Sequence, residues 1–291
     1  MKILISTDTS CLVNYESFKK YEDISVFPLN VIINEEEFLD GITIDQKQLC
    51  EAMRSNKKIQ TSTPPLGEVI EYFEKLLAKG YDHIIHFTIS SKLSSMNQLF
   101  TNVANEHFSG KVTVIDSYGL TTTMLSKVFY AYDEAKKGTP VEDIVKNIEE
   151  RKKTDYIAFI PENLVALKNG GRISPSIAII GNLLGIKPLI NLLDGELKKE
   201  GMIKSVRKAF KDKIDALVTK YLPDEYDYAF IEFDSRQEVY DIVCDYASSK
   251  LGDNKLIKGI VPINVCAHCG PGTIGLSISQ KINGKSLNEF I

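Results

Sequence analysis

The sequence predicts an α/β protein whose two parts are built differently. From residue 1 to about residue 152, short buried-strand patterns alternate with amphipathic helical patterns, which is typical of a doubly wound parallel sheet. After Lys153 the pattern changes, and a hairpin and longer strand patterns dominate. We therefore predict a parallel α/β domain followed by a second domain, with the boundary near residue 155.

In the first part, strands are marked by apolar, β-branched runs and helices by apolar residues three and four apart, such as Leu49 and Met53. Thr61–Pro65 places hydroxyl residues before prolines, which predicts a helix start, and Ser95 with Gln98 fits a capping box. The predicted strands are Lys2–Ser6, a pair within Ile24–Ile33 around Pro28, His83–Ile89 and Lys111–Asp116. The predicted helices are Asp45–Ser55, Gly67–Lys79, Ser95 to about Phe108, a long helix ending at Lys137, and Pro140 to about Lys152.

The second part mixes strands and helices without regular alternation. Asp194–Gly195 predicts the turn of a hairpin. The predicted strands are Tyr156–Ile160, Pro188–Leu192, Glu196–Met202, Tyr226–Phe233, Ile257–Val265 and Leu276–Ile282, with a turn at Pro271–Gly275. The predicted helices are Ser205–Tyr221 and Ser235–Lys250.

Composition excludes several classes of protein. The chain has 291 residues, 43% of them hydrophobic and 25% charged, and a formal net charge of −4, so nothing favours a nucleic-acid partner. No apolar run approaches the roughly 18–20 residues that span a bilayer, and the first apolar stretch is too short for a signal peptide. The odd number of cysteines, 5, disfavours a disulfide framework. We expect a cytoplasmic protein.

Hydroxyl residues cluster where predicted strands end or a helix begins. The four clusters are Thr7–Ser10, Thr61–Thr63, Ser90–Ser95, and Ser117 with Thr121–Thr123. The carboxyl ends of parallel strands share one edge, where ligands usually bind. Neutral donors suit a single carboxylate better than a triphosphate, which needs several cations or a metal. Each hydroxyl taken singly is also explained as a helix cap.

The glycine-rich segment Leu164–Leu189 could bring an arginine to an anion. Gly170 and Gly171 permit a positive φ or the close approach of another group, and Arg172 follows them. Ser174 and Pro175 predict a helix start. The alternative is a plain turn with a solvated arginine. Similarly, His268 is interpreted either as an anion donor at a strand end or as a half-buried structural histidine.

Three motif matches fail on context. Gly270–Gly275 reads GPGTIG but leads into a strand pattern instead of a helix, so we reject dinucleotide binding. Gly181 to Pro188 has the wrong spacing for a phosphate-binding loop. Cys266 and Cys269 form a C-x-x-C pair without a second ligand pair for zinc or a thioredoxin-like context.

Several short motifs, in order along the chain, resemble those of the DegV family. They are the opening STDTS, Asp40–Gly41, TSTP at Thr61–Pro64, SSKLS at Ser90–Ser94, Asp116–Ser117, LKNGGRIS at Leu167–Ser174, EGMIKSVRK at Glu200–Lys208 and HCGPGTIG at His268–Gly275. The resemblance implies a three-layer α/β/α domain with a mainly parallel sheet over residues 1–155. It further implies a two-layer α/β domain with a mixed sheet over 156–291, and a ligand between the two domains.

The resemblance also implies a function. Family members bind one long-chain fatty acid, and the best-understood are the binding subunits of bacterial fatty acid kinase. These subunits present the carboxylate to a separate kinase subunit that makes the acyl phosphate for phospholipid synthesis. A non-catalytic carrier without cofactor or metal is therefore expected, with transient contact with a membrane surface as a further expectation.

Roles are carried over by motif. Thr61, Ser62 and Ser94 would hold the carboxylate, with His268 nearby and Arg172 at the mouth of the site. Arg207, with Lys204, would face the kinase subunit, and Ile177–Leu184 would line an apolar tunnel for the tail. The chain departs from the usual family motifs at Thr63, Pro65, Ser95 and Cys269, and these changes could alter the preferred acyl chain.

Two other classes of function stay open. A metal-dependent phosphotransfer or hydrolytic enzyme acting on a small carboxylate or polyol would use Asp8 or Asp116, the acids at the predicted sheet edge. A thiol redox protein would use Cys266 and Cys269, and predicts loss of function in Cys269→Ser.

Overall fold

A computed structural model describes residues 1–11, 18–173 and 185–291. Its strands are β1 (Ile3–Asp8), β2 (Ile24–Phe27), β3 (Asn30–Ile33), β4 (Glu36–Leu39), β5 (Ile59–Ser62), β6 (His83–Thr88), β7 (Val112–Asp116), β8 (Tyr156–Ile160), β9 (Lys187–Leu193), β10 (Glu196–Ile203), β11 (Tyr226–Phe233), β12 (Ile257–Ile260) and β13 (Thr273–Gln280). The helices of these residues are α1 (Gln46–Arg54), α2 (Leu66–Leu77), α3 (Met96–His107), α4 (Thr121–Lys137), α5 (Val141–Lys152), α6 (Val165–Asn169), α7 (Val206–Leu217), α8 (Gln237–Lys250) and α9 (Ile263–Cys269).

The predicted parallel sheet is confirmed. Its four strands lie in the order β2-β1-β6-β7, and every pair is parallel. Successive side chains point to opposite faces, so Leu4 packs with Phe73 and Phe100 on the α2/α3 side, while Ile5 packs with Val128 on the α4/α5 side. Helices therefore cover both faces, which gives the expected three layers.

The second sheet is mixed, as expected. Its six strands lie in the order β10-β9-β8-β13-β11-β12, with only β11 and β12 parallel. The hairpin turn at Asp194 and Gly195 is confirmed, and both residues have positive φ. One face of the sheet packs through Phe230 and Leu276 against Phe210 and Val243 of α7 and α8. The other face turns toward the parallel sheet.

A small antiparallel sheet, in the order β4-β3-β5, adds a strand to the prediction and corrects another part of it. β4 was not predicted, and Thr61 and Ser62 end the strand β5 instead of starting a helix. α2 begins at Leu66 after Pro65, with no side-chain hydrogen bond at its cap. The hydroxyls of Thr61 and Ser62 therefore do not cap α2.

The predicted capping box at the start of α3 is wrong as well. Ser95 is the N-cap residue, but its side chain accepts no capping hydrogen bond. The Met96 amide instead donates to Ser94 Oγ at 3.3 Å. Ser95 instead lines a cavity described below.

The predicted strand Ile257–Val265 is wrong in its second half. The strand ends at Ile260, and Ile263–Cys269 forms helix α9, which places His268 in a last helical turn instead of at a strand end. The backbone amides of Ile263 and Asn264 donate to the buried Asp40 carboxylate at 3.2 and 3.1 Å. This distant cap satisfies the first turn of a segment whose β-branched residues favour a strand. After α9, strand β13 begins at Thr273, three residues earlier than predicted.

The end of the chain packs into the core of the first sheet. Phe290 lies against Phe129 of α4 with ring centroids 5.2 Å apart, and Tyr21 Oη donates to the Phe290 carbonyl at 2.7 Å. The division at residue 155 stays a prediction, because this core draws on both sides of it. Over the ranges given above, none of the helices has the length and apolar character that crossing a membrane requires.

Candidate functional site

A cavity of about 400 Å³ lies between the carboxyl edge of the parallel sheet and the inner face of the mixed sheet. Its volume falls within the range typical of small-molecule sites, roughly 300–1,000 Å³. The five residues predicted to hold the carboxylate or to lie at the mouth of the site line it: Thr61, Ser62, Ser94, Arg172 and His268. Most of the remaining wall is apolar, including Ile89, Leu93, Met96, Leu120, Ile157, Phe159, Leu167, Leu197, Ile231, Val261 and Val265.

Thr61 and His268 meet directly at the polar end of this cavity. Thr61 Oγ1 lies 2.9 Å from His268 Nε2, within hydrogen-bond distance. Thr61 is held in place because β5 pairs with β3, where it lies opposite Val31. His268 is held by α9, so the contact joins two elements that are separated by most of the chain.

The imidazole of His268 is neutral at neutral pH. Burial, and then the nearby Arg172 charge, lower the pKa of His268 to about 4. Its Nδ1 is buried without a hydrogen-bond partner. A carboxylate ligand beside this ring would favour the charged form and raise the pKa.

Gly170 lies directly against the imidazole of His268. A Cβ built on Gly170 would lie 2.3 Å from His268 Nδ1, which is far closer than any real contact. The next residue, Gly171, has a φ of 68° and so uses the left-handed region. Both uses expected of the glycine pair are therefore present, close approach at Gly170 and positive φ at Gly171.

Arg172 is held on the wall of the cavity by two carbonyl groups. Its Nε donates to the Leu93 carbonyl at 3.1 Å, and its Nη1 donates to the Gly170 carbonyl. Burial lowers the pKa of this guanidinium, but arginine remains charged in proteins. The anticipated helix start at Ser174 and Pro175, the mismatched loop at Gly181 and the tunnel wall Ile177–Leu184 lie outside the described residues.

An open groove of about 790 Å³ adjoins the polar end of the cavity and shares Thr61, Arg172 and His268 with it. Among the residues that the structure describes, the charged ones that line the groove are all cationic: Arg54, Lys57, Lys58 and Arg172. Arg54 pairs with Asp234, whereas Lys57 and Lys58 are exposed between α1 and β5. Sequence reasoning missed these residues, because a lysine pair after a helix is usually only solvated.

Arg207 and Lys204 lie apart from this site. Neither lines the cavity or the groove. Arg207 Nη2 pairs with Glu238 Oε1 at 2.6 Å, and Lys204 is exposed just before α7. The structure therefore groups five of the seven predicted site residues and leaves these two on another surface.

Asp8 and Asp116 hold loops instead of facing the cavity. The buried Asp8 carboxylate accepts hydrogen bonds from the amides of Ser10 at 2.8 Å and Ile89 at 3.0 Å, and burial raises its pKa. Asp116 accepts from the amides of Ser91 at 3.1 Å and Tyr118 at 3.0 Å. Within residues 1–11, 18–173 and 185–291, no group of three or more His, Cys, Asp or Glu side chains could hold a metal.

The hydroxyl clusters are only partly brought together. Thr61–Thr63, Ser94, Ser95 and Thr121 line the cavity. The cluster Thr7–Ser10 does not, and its hydroxyls serve the local fold; Thr9 Oγ1, for example, accepts a hydrogen bond from the Leu29 amide at 3.1 Å. Sequence reasoning also missed Asn264 and the inner-face residues of the mixed sheet, because only the folded chain brings them to this place.

The cysteine pair and the glycine motif have structural roles. Cys266 and Cys269 are buried free thiols, and Cys266 Sγ donates to the Val261 carbonyl at 3.2 Å. Burial raises the pKa of Cys266, which is opposite to the shift that a reactive thiolate needs. Gly270–Gly275 leads into β13, not into a helix, which agrees with the rejection of dinucleotide binding.

Comparison with known proteins gives the family. The model described as an uncharacterised protein of the DegV family matches residues 2–281. The chain belongs to the DegV family. A DegV domain-containing protein of Mycoplasmopsis pulmonis is 29% identical over 291 residues, which cover 100% of this chain and 99% of that one. Protein DegV of Bacillus subtilis is 29% identical over 286 residues, 95% of this chain and 98% of that one.

Solved DegV structures share the fold. A DegV family protein from Thermus thermophilus, described as binding fatty acid, has a TM-score of 0.87 at 23% identity, over 96% of this chain and 100% of that one. DegV of Bacillus subtilis, described as a fatty acid binding protein, has a TM-score of 0.86 at 26% identity, over 97% and 100%. The arrangement of a parallel and a mixed sheet is thus that of DegV proteins.

Proposed function

We propose that this DegV protein is a carrier that binds a long-chain fatty acid in the cavity between its two large sheets. Thr61, Ser62, Ser94 and His268 bind the carboxylate, with Arg172 beside it, and the apolar walls enclose the tail. The observation that supports this most is that the hydroxyls and the imidazole meet at one end of an otherwise largely apolar cavity. The description of Bacillus subtilis DegV as a fatty acid binding protein supports the choice of ligand.

The two ends of the cavity suit the two ends of a fatty acid. Each CH₂ transferred from water to an apolar wall contributes about 0.8 kcal/mol, so a long tail supplies most of the affinity. A buried carboxylate is costly unless it is hydrogen-bonded and paired with charge. The neutral hydroxyls, an imidazole able to take up a proton and the fixed Arg172 guanidinium provide both kinds of partner.

We further propose that the bound carboxylate is presented through the groove to a separate kinase subunit in the cytoplasm. The groove reaches the same Thr61, Arg172 and His268 from outside, and the charged residues known to line it are all cationic within the described part of the chain, which favours the approach of a phosphoryl group. Arg207 and Lys204 lie outside the groove and would contact the partner elsewhere.

Identification of the bound ligand tests the carrier proposal. We expect organic extraction of the protein purified from a bacterial host, followed by mass spectrometry, to release one long-chain fatty acid per chain. After removal of the lipid, the same acid should bind again at a ratio of one to one. Recovery of a polar ligand, or of no acid that binds again, would show that the cavity has another use.

Arg172→Ala tests the presentation proposal. The substitution removes the only charged side chain that the described residues place in both the cavity and the groove, so we expect phosphorylation of the bound acid by the kinase subunit to fall at least tenfold, with the melting temperature nearly unchanged. Arg236→Ala, at an exposed arginine that lines neither space, is the control and should be phosphorylated normally. Equal phosphorylation rates for Arg172→Ala and the parent would mean that the segment around Arg172 serves only as a turn.

A further inference from the structure

The cavity wall contains unpaired polar groups that a hydrocarbon tail cannot satisfy. Over residues 1–11, 18–173 and 185–291, six buried side-chain atoms lack a hydrogen-bond partner. Three of them belong to residues that line the cavity: His268 Nδ1, Asn264 Oδ1 and Thr121 Oγ1. His268 already belongs to the carboxylate site of the proposed function, whereas Asn264 and Thr121 have no role in it.

Asn264 lies one helical turn from His268 on the same side of α9. Residues four apart on a helix have Cβ atoms about 5–6 Å apart, and both side chains line the cavity. The cavity wall also includes Val265 of α9 and Val261 just before it, so it extends from His268 toward the start of this helix. A ligand that is held at His268 and runs along this wall passes Asn264 with the carboxyl-proximal part of its chain.

The side-chain amide of Asn264 is available to a ligand. The residue is 6% exposed, and its backbone amide is already bound by Asp40 Oδ2 at 3.1 Å, which fixes its position. The helix start itself is thus satisfied and offers no site. The side-chain amide has both donor and acceptor groups, yet its Oδ1 has no partner. Against a plain hydrocarbon tail the buried amide would stay unsatisfied, which costs free energy.

Thr121 gives a second, independent sign that this wall is shaped for a ligand. It is a β-branched residue with a φ of 50°, a conformation that such residues rarely adopt. It is 2% exposed, and its hydroxyl has no partner. Strained backbone of this kind persists where the surrounding structure enforces it and is concentrated at ligand sites.

We propose that the cavity selects a hydroxy fatty acid whose hydroxyl group lies in the carboxyl-proximal half of the chain, and that Asn264 recognises this hydroxyl. This inference rests on the proposed fatty acid function and narrows its ligand class. A hydroxyl both donates and accepts, so it satisfies an amide in either orientation. Sites built to hydrogen-bond a ligand hydroxyl discriminate strongly against the analogue that lacks it.

The test compares affinities of the delipidated full-length protein for palmitic acid and for a series of hydroxypalmitic acids that differ in hydroxyl position. We expect at least one isomer with a carboxyl-proximal hydroxyl to bind ten or more times tighter than palmitic acid. In Asn264→Leu the preference should disappear or reverse in favour of palmitic acid. Titration calorimetry measures both effects.

Asn191→Leu is the matched control. Asn191 is also a buried asparagine, 7% exposed with an unpaired Oδ1, but it does not line the cavity. Its replacement should leave the selectivity of the parent unchanged. If the parent binds palmitic acid as tightly as every hydroxy isomer, the inference fails while the carrier proposal stands, and this comparison does not depend on the folding of any variant. If no acid of the series binds, both fail.

Discussion

Gly170 and His268 lie so close together that the size of residue 170 decides where the imidazole can be. The φ of Gly170 is ordinary, −74°, so the backbone itself does not require glycine. The requirement comes from the ring, because a Cβ would lie 2.3 Å from its Nδ1. The glycine pair in this motif is therefore explained in part by a contact with a residue almost 100 positions further along the chain.

We expect Gly170→Ala to weaken fatty acid binding by about tenfold or more with little loss of secondary structure. The added methyl must push the imidazole away and break its 2.9 Å contact with Thr61. Gly67→Ala is the control, because a Cβ there meets nothing within 4 Å and Gly67 lies in α2. Titration with a fluorescent fatty acid measures both variants, and an unchanged affinity for Gly170→Ala would contradict this role of the ring.

His86 illustrates a histidine that serves the core. It is fully buried, stacks on Phe100 with ring centroids 4.2 Å apart, and its Nδ1 lies 2.8 Å from Ser6 Oγ. Burial lowers the pKa of His86 to about 3. The folded protein therefore keeps this ring neutral at pH values where the unfolded chain, with a pKa near 6.5, has taken up a proton.

The sign of the pH effect follows from this difference. The stability linked to His86 is present above pH 6.5 and is lost as the pH falls toward 3, and the loss at pH 5 is about 2 kcal/mol. Burial raises the pKa of Asp40 and of Asp8, and these carboxyls contribute a slope of opposite sign. The total pH profile is therefore a sum, and only a comparison of variants isolates His86.

We expect His86→Phe to lose less stability than the parent between pH 8 and pH 5, by about 2 kcal/mol. Phenylalanine keeps the stacking, and Ser6 Oγ retains its 2.8 Å contact with Tyr72 Oη. Urea denaturation at both pH values gives the difference. Parallel pH profiles for the two proteins would mean that His86 is protonated in the folded state as readily as in the unfolded one.

Helix α9 depends on a cap from a distant part of the chain. Its first two amides donate to Asp40, which directly follows β4, while its last turn carries His268. Asp40 is 3% exposed, and burial raises its pKa to about 7. The folded-state pKa is raised for an acid, so the linked stability is fully present below the ordinary pKa of 3.8, declines as the pH rises from there to about 7, and is constant above that.

We expect Asp40→Ala to reduce the free energy of unfolding by about 1–3 kcal/mol and to weaken fatty acid binding as well, since two buried amides lose their acceptor and the support of His268 loosens. Asp45→Ala is the matched control. It removes the cap of α1, which should cost about 1 kcal/mol without an effect on binding. If both variants bind the fatty acid equally well, the Asp40 side chain does not contribute to the binding site.

The two large sheets form one structure through contacts of α4. Thr122 Oγ1 and Ser277 Oγ are hydrogen-bonded across them, and the buried Lys127 pairs with Asp155. The cavity draws its walls from both sheets, so a ligand that fills it contacts both. Binding should therefore stabilise the whole chain instead of one half.

We expect a fatty acid at 100 times its dissociation constant to stabilise the protein by about 2.7 kcal/mol, which is a rise in melting temperature of roughly 4–5 °C for a chain of this size. Differential scanning calorimetry of delipidated and reloaded protein should show one transition that moves as a unit. Two transitions, of which only one moves, would indicate that the predicted domains at 1–155 and 156–291 unfold separately.

Local patterns were sufficient wherever an element is stabilised by its own sequence. The four parallel strands, the flanking helices and the hairpin at Asp194 and Gly195 follow from periodicity and turn chemistry. Local patterns failed to predict β5 and α9. Thr61 and Ser62 suggest a helix start until β3 pairs with them, and the segment from Ile263 reads as a strand until Asp40, 223 residues earlier, caps it.

The family, the α/β class and the residue types suited to a carboxylate were determined by the sequence, because strand and helix periodicity and short motifs are local properties. Only the tertiary structure decided that Thr61 and His268 touch, although 207 positions separate them, and that Arg207 and Lys204 do not join them. It alone placed Asn264 and Thr121 on the cavity wall without partners. Contacts between residues far apart depend on how the elements pack, and periodicity contains no information about that packing.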